Sequence, residues 1–376
     1  MAQHSTIVGG STAKRVINCP GSVALVAQMP PKPSSVYADT GTLLHNVIAD
    51  VLDGKATPQD FLGMVHADVT LDQDLIDNKL LPALAALNEI DPDKKMEYET
   101  EVIVGFGDLL PGVFGSSDIV GRIGDTAYIV DWKFGDGVAV DVEENPQLMF
   151  YAAAAMRTPA SQWAFDGATK VELVIVQPPY VKRWETTPRR IRLFEKQLIA
   201  AVKIAQRPDA PLAQGDYCRW CAAKAICPLM TGAADRALIS ALQDLSIDHV
   251  ADHLKMADQL EDWIKAVRAL AMQTLEAGLP VPGYKLVPKR ALRQWVDEDK
   301  ALDAMCDMGL DAKELTVTAL LSPAQAEKVL KKHKLALPKD HVVAVSSGNT
   351  LAPEDDPRPA VLQIGAQLSA ALGKLV

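Results

Sequence analysis

Three short segments hold residues able to do chemistry. Gly115-Ser-Ser-Asp118 and Asp131-Trp-Lys133 bring two carboxylates and an ammonium close together in the chain, and His45 stands upstream in Gly41-Thr-Leu-Leu-His45. Carboxylates hold hard divalent cations through oxygen. Such a cation activates water and stabilises charge on a phosphate and on the leaving oxygen. A nearby lysine orients the nucleophile or neutralises developing negative charge. The set is what a metal-dependent phosphodiesterase needs, although Asp-x-Lys alone is a weak signal that an exposed hairpin also carries. The cysteines form the second constellation. Cys218-Arg-Trp-Cys221 with Cys227-Pro228 supplies three thiols, and Cys19-Pro20 a remote fourth. Four thiolates suit either structural zinc or a cubane iron–sulfur cluster. Cys306 has no neighbouring thiol and is expected in a core.

The elements that must position these residues follow from hydrophobic period. Residues 39–52 and 72–88 repeat apolar positions at helical spacing, the first with Gly54 as its stop. Residues 96–104 alternate acidic and apolar side chains, as a half-buried strand does. Strands at 113–122 and 127–132 follow, joined at Ile123-Gly124-Asp125, and alternation puts Asp131 and Lys133 on one face. Glu99 and Glu101 share a face of the preceding strand, and either can reach a metal there. A helix at 143–156, strands at 171–177 and 182–186, and a helix at 191–206 complete the series. Helix, three strands, helix, strand predicts an α/β fold with a mixed central sheet flanked by helices. Beyond the cysteines the chain reads as mostly helical, with one or two long helices over 233–277. Another helix opens at Ser322-Pro323 with a capping box. Residues 346–359 are polar and proline-rich and predict a loop or mobile tail. No internal repeat is present.

A net charge of −10 over 376 residues argues against a polyanionic partner, but distribution matters more than the sum. Between Tyr180 and Arg207 eight basic residues stand against two acidic ones. Lys285, Lys289, Arg290 and Arg293 form a second, acid-free stretch. Either stretch is a nucleic-acid contact or simply a solvated face. No apolar run is long enough to cross a membrane, and the N-terminus lacks a signal-peptide pattern, so a cytoplasmic protein is expected. Cysteines there favour metal ligation over disulfides.

The order Gly115-x-x-Asp118, Asp131-x-Lys133, Gln147-x-x-x-Tyr151 resembles the RecB-like, Cas4-like branch of the PD-(D/E)XK nucleases, whose core is restriction-endonuclease-like. The resemblance implies that His45, Asp118 and Asp131 bind Mg²⁺ or Mn²⁺ and that Lys133 is catalytic. It implies that Gln147 and Tyr151, one turn apart, contact DNA or support the site. One early cysteine with a late C-x2-C-x5-C resembles the iron–sulfur staple of AddB-type nucleases, implying a [4Fe-4S] cluster on Cys19, Cys218, Cys221 and Cys227. Gly283-Tyr-Lys-Leu-Val287 and Arg293-Gln-Trp295 resemble, more loosely, a phage-borne family of Cas4-like exonucleases. The expected organisation is a nuclease core over 1–232 and a mainly helical domain over 233–376.

These readings converge on a metal-dependent DNA exonuclease that resects ends for phage-type recombination, replication or repair. A single-strand annealing or single-strand-binding protein is the expected partner, beside the DNA itself. Two other classes compete: a DNA-binding scaffold with a vestigial site, and a zinc-stapled regulatory protein. Intact Asp118, Asp131 and Lys133 argue against the scaffold. No Walker A pattern is present, which excludes an ATP-driven helicase of the chain's own.

Overall fold

The computed structural model describes residues 5–31, 34–135, 140–178, 180–232, 250–289, 292–316, 320–345, 348–353 and 358–361. The chain divides into two compact units, Met1–Met256 and Ala257–Val376.

The first unit opens with two short helices, α1 (Ala13–Asn18) and α2 (Ser22–Val26), and then a long one, α3 (Val36–Leu52). Helix α3 begins three residues before the sequence expectation. Ser35 provides the reason: its hydroxyl accepts from the Ala38 N–H at 3.3 Å and caps a free helix end. After a two-residue ladder, β1 (Val65–His66) with β2 (Val69–Thr70), the expected helix over 72–88 is present in three parts. They are α4 (Gln73–Leu75), a π-helical turn (Ile76–Leu80) and α5 (Leu81–Ile90). Pro82 lacks the N–H that would donate to residue 78 and its ring crowds that carbonyl, which accounts for the wider turn.

The centre is a five-stranded sheet in the order β3 (Glu97–Gly105), β4 (Phe114–Ile123), β5 (Thr126–Trp132), β6 (Lys170–Gln177), β7 (Tyr180–Thr186). Its pairs are antiparallel except β5–β6, where Asp131 lies beside Ile175 in parallel register. That parallel pair requires a crossover. Helix α6 (Pro146–Ala155) lies in it, started by Pro146 and by Asn145, whose side chain accepts from the Gln147 N–H at 2.9 Å. Helix α7 (Pro188–Ala205) follows β7. The mixed sheet flanked by helices is the architecture that the sequence predicts.

Two hydrophobic cores lie on the two faces of this sheet. One unites Val102, Val104, Val120 and Ile129 with Phe150 of α6 and Phe194 and Leu198 of α7. The other unites Ile119, Val130 and Trp132 with Leu44 and Ile48 of α3 and Leu87 of α5. Burying both faces explains the near-continuous apolar runs of β5 and β6.

The second unit contains α9 (Glu298–Asp307), α10 (Ala312–Leu315) and α11 (Pro323–Lys332), with helix α8 (Val250–Glu276) spanning the boundary between units. The Ser322–Gln325 capping box is formed as predicted. Among the described residues of this unit helix outweighs strand, but two antiparallel pairs are also present. They are β8 (Tyr284–Pro288) with β11 (Asn349–Pro353), and β9 (Leu292–Trp295) with β10 (Val342–Val345). For residues 349–353 this corrects the reading of 346–359 as a loop or mobile tail. Residues 349–353 are strand, because backbone pairing with a segment some sixty residues away overrides a polar, proline-rich composition. Residues 346–347 and 354–357 lie outside the described residues, as do 233–249 of the expected helix over 233–277.

Candidate metal centre and cysteine cavity

The site begins with an irregularity in β3. Along that strand the Tyr98 hydroxyl reaches the Leu52 carbonyl and Thr100 bonds Asp53, so the even-numbered side chains face α3. Beyond Glu101 they face the opposite way, with Val102 and Val104 in the core that contains α6. Strand β4 reverses too. A Cβ on Gly121 would touch Met96 on the α3 side, whereas one on Gly115 would lie 3.1 Å from the Tyr151 ring on the α6 side. The reversal is centred where Glu101 stands opposite Asp118, a position missing from an otherwise regular ladder. Glu101 has φ +48°, a left-handed conformation uncommon for a residue with a side chain.

This reversal directs Glu101 towards α3. There His45 Nδ1 lies 3.2 Å from Asp118 Oδ1 and 3.9 Å from Glu101 Oε1. Ligand atoms of His45, Glu101 and Asp118 all fall within 4.8 Å of one another, a group able to hold a divalent metal. The structure thus brings Glu101, and not Glu99, to the centre. Ser116 donates to Glu101 Oε2 at 2.9 Å, and Phe134 packs edge-on against the His45 ring, with centroids 5.3 Å apart.

Asp118 also replaces backbone in the sheet. The β4–β5 ladder ends at Ile119 opposite Val130, and the next inward N–H of β5, that of Trp132, donates to Asp118 Oδ2 at 2.6 Å. One carboxyl oxygen is therefore anchored to the backbone while the other meets His45.

Asp131 is 2% exposed. Its Oδ2 lies 2.6 Å from Lys133 Nζ, on the shared face that alternation predicts. The Lys133 ammonium is the cation against this buried carboxyl oxygen. Oδ1 accepts from Gln147 Nε2 at 3.2 Å, and the same amide lies 3.1 Å from the Tyr151 hydroxyl. Tyr151 is buried, with its hydroxyl against Gln147. Gly10 makes room for its ring, since a Cβ there would lie 2.5 Å from the ring carbon bearing the hydroxyl. No feature of local sequence marks Gly10 for that role.

Electrostatics reflect the crowding of acids. Burial and the charge of Asp118 raise the Glu101 carboxyl above its usual range. Burial raises Asp131 as well, against the opposing pull of Lys133. Burial lowers His45 and Lys133, but the neighbouring carboxylates outweigh it and both end up raised. Burial above all, then Asp131, pushes the Tyr151 phenol up. These carboxylates repel one another and gain from a shared cation.

The four candidate cysteines lie elsewhere in the same unit. Cys19, Cys218, Cys221 and Cys227 line one cavity, together with Arg15, Ser22 and Tyr217. All four are free thiols, and no three of their sulfurs come within 4.8 Å of one another. Cys19 is buried and its Sγ accepts from the Ala213 N–H at 3.4 Å. Gly21 permits that approach of the 210–213 segment, because a Cβ there would lie 2.4 Å from the Ala210 carbonyl oxygen. The Arg15 guanidinium donates to Ser22, which donates to the Cys19 carbonyl at 2.6 Å. Burial raises the Cys218 and Cys221 thiols. Cys306 is in α9 of the second unit.

A third feature is charge. On α7, Arg189, Arg192, Lys196 and Lys203 are all exposed and fall within an arc of about 60° at 100° per residue. They lie opposite the buried stripe of Ile191, Phe194, Leu198 and Val202. Of the basic residues nearby, Arg190 pairs with Glu144, Arg183 with Glu172 and Arg207 with Asp209, whereas these four have no ion pair among the described residues.

No helix among the described residues is long and apolar enough to cross a membrane. Among solved structures the chain is similar to the protein SSO0001, with 14% identity over 61% of this chain and 88% of that one, at a TM-score of 0.27. It is likewise similar to an alkaline exonuclease (LHK-Exo) from Laribacter hongkongensis, with 11% identity over 54% of this chain and 89% of that one, at a TM-score of 0.26. A family model matches residues 4–359, nearly the whole length, and the chain therefore belongs to the family described as protein of unknown function DUF2800.

Proposed function

We propose that this protein is a divalent-metal-dependent deoxyribonuclease acting on DNA ends. The observation that carries the reading is the convergence of His45, Glu101 and Asp118 beside the buried Asp131–Lys133 pair, where helix α3 meets strands β3, β4 and β5. The donor set fits a hard cation: carboxylate oxygens with one imidazole, as suits Mg²⁺ or Mn²⁺. A bound cation would supply Lewis acidity and an activated water.

The chain's own residues do the rest. Asp118, held by the Trp132 N–H, presents one fixed oxygen and orients His45. Gln147 holds Asp131 in place, and Tyr151 backs Gln147. Lys133, 27% exposed at its side chain, reaches from Asp131 towards solvent, where its charge can stabilise a phosphate oxygen. The unpaired stripe on α7 provides cations for phosphates despite the net charge of −10.

The four-thiol cavity is assigned in this reading to a [4Fe-4S] cluster, which would supply a cross-link between the N-terminal segment and the end of a nuclease core over 1–232. Structural zinc also takes four thiolates, and iron, sulfide and zinc analysis of the purified protein tells the two apart. Resection for phage-type recombination, in the cytoplasm and beside a single-strand annealing or binding protein, is the biological setting proposed.

Digestion of end-labelled duplex and single-stranded DNA with Mg²⁺ or Mn²⁺ tests the reading. Mononucleotides or short oligonucleotides released from an end support it, and inert DNA under all these conditions refutes it.

A further inference from the structure

The turn that bears two of the cysteines has a second side. In Asp216–Trp220 the Cys218 N–H donates to the Gly215 carbonyl at 3.0 Å, and the Cys221 N–H donates to the Cys218 carbonyl at 3.1 Å. Side chains three apart in a 3-10 turn fall on one side. Cys218 and Cys221 accordingly both line the cavity, and Arg219 and Trp220 between them are displayed outward. Trp220 is 73% exposed, and the Arg219 guanidinium lies 5.1 Å from the centroid of its ring.

Two properties of this pair point to a ligand. An indole gains much by leaving water, and this one keeps most of its surface there. Arg219 has no ion pair among the described residues, and the nearby Asp216 is already paired with Lys14. A cation without an ion pair among the described residues thus stands against an exposed aromatic ring, on a turn whose cysteines line the cavity. We propose that Arg219 and Trp220 are a docking point for single-stranded nucleic acid, with a base stacked on the indole and the adjoining phosphate on the guanidinium. A single strand presents those two chemistries side by side, and aromatic stacking with basic contacts is how sequence-tolerant binding is achieved. The inference rests on the nucleic-acid reading above but not on catalysis.

The test uses the full chain in EDTA, so that nothing is cut. Its affinity for a fluorescently labelled oligo-dT is followed by anisotropy over a range of salt concentrations. Trp220→Ala weakens binding about 5- to 150-fold, and Trp220→Phe keeps most of the affinity. Arg219→Gln lowers the slope of log affinity against log salt by about 0.7. Melting temperature and metal content stay at parental values in all three, because the side chains are exposed. Parental affinity in Trp220→Ala overturns the proposal and leaves the ring to a protein partner. Loss in Trp220→Phe equal to that in Trp220→Ala overturns it too, as does a parent without affinity for the strand. Digestion by the parent with Mn²⁺, run alongside, reports on the nuclease reading separately. A parent that binds through Trp220 and never cleaves keeps this docking point and loses the enzyme.

Discussion

Glu101 stands directly opposite Asp118 across the β3–β4 ladder, and at that single position the pairing is missing and the chain turns to φ +48°. Two carboxylates on adjacent strands are thereby turned to the side that bears His45. An unstrained strand would not do this, and left-handed backbone at a residue with a side chain costs on the order of 1–3 kcal/mol.

That geometry separates Glu101 from Glu99. Glu101→Gln should weaken Mn²⁺ binding and reduce cleavage by an order of magnitude or more at subsaturating metal. Glu99→Gln should leave both within about two-fold. Calorimetric titration with Mn²⁺ checks this, and equal effects of the two substitutions would remove Glu101 from the centre.

Asp118→Asn and Asp131→Asn should abolish metal-dependent cleavage. Asparagine is the better test than alanine at 131, since it can still accept from Gln147. Truncation to alanine would also remove the oxygen that lies against Lys133 Nζ. Lys133→Ala should retain metal binding and lose turnover. Rates at saturating Mn²⁺, with circular dichroism as the fold control, decide it.

Metal binding should be pH-dependent in a definite sense. Burial first, and Asp118's charge with it, raises Glu101; burial raises Asp131; and carboxylates raise His45 over the opposing effect of burial. In each case the folded state holds its proton more tightly than the unfolded chain does. These groups' contribution to the stability of the metal-free protein is full below about pH 4 for the carboxylates and about 6.5 for the histidine. It declines as pH rises through the raised folded values. A cation competes with those protons. The rise in Tm produced by Mn²⁺ should therefore be larger at pH 8 than at pH 5.5. An equal rise at both would show that these groups do not hold the metal.

Cys19→Ala should lower iron and sulfide content, bleach visible absorption and expose the N-terminal segment to protease. Cys306→Ala, in the other unit, should do none of these. Full iron content in the Cys19 variant would eliminate the remote ligand.

Charge removal along α7 should act through salt. Arg192→Gln with Lys196→Gln should reduce the slope of log affinity against log salt by nearly two for duplex DNA and lower affinity for all sequences alike. An unchanged slope would mark the stripe as a solvated face.

Much of this was legible from residues alone, because it depends on local period. Alternation in 127–132 puts Asp131 and Lys133 on one face, and the ion pair between them is present. The 3.6-residue repeat places Gln147 over Tyr151, and their side chains meet. Helices α3, α6 and α7 and all five sheet strands stand within a few residues of their predicted limits. What local period cannot encode is a change of period. Glu99 and Glu101 are equivalent in an ideal strand, and only the reversal opposite Asp118 distinguishes them. Gly10 matters because a ring 141 positions away needs its missing Cβ, and strand β11 exists because β8 offers it a partner. Close approach and pairing between distant segments depend on how the whole chain packs, so the tertiary structure alone decided them.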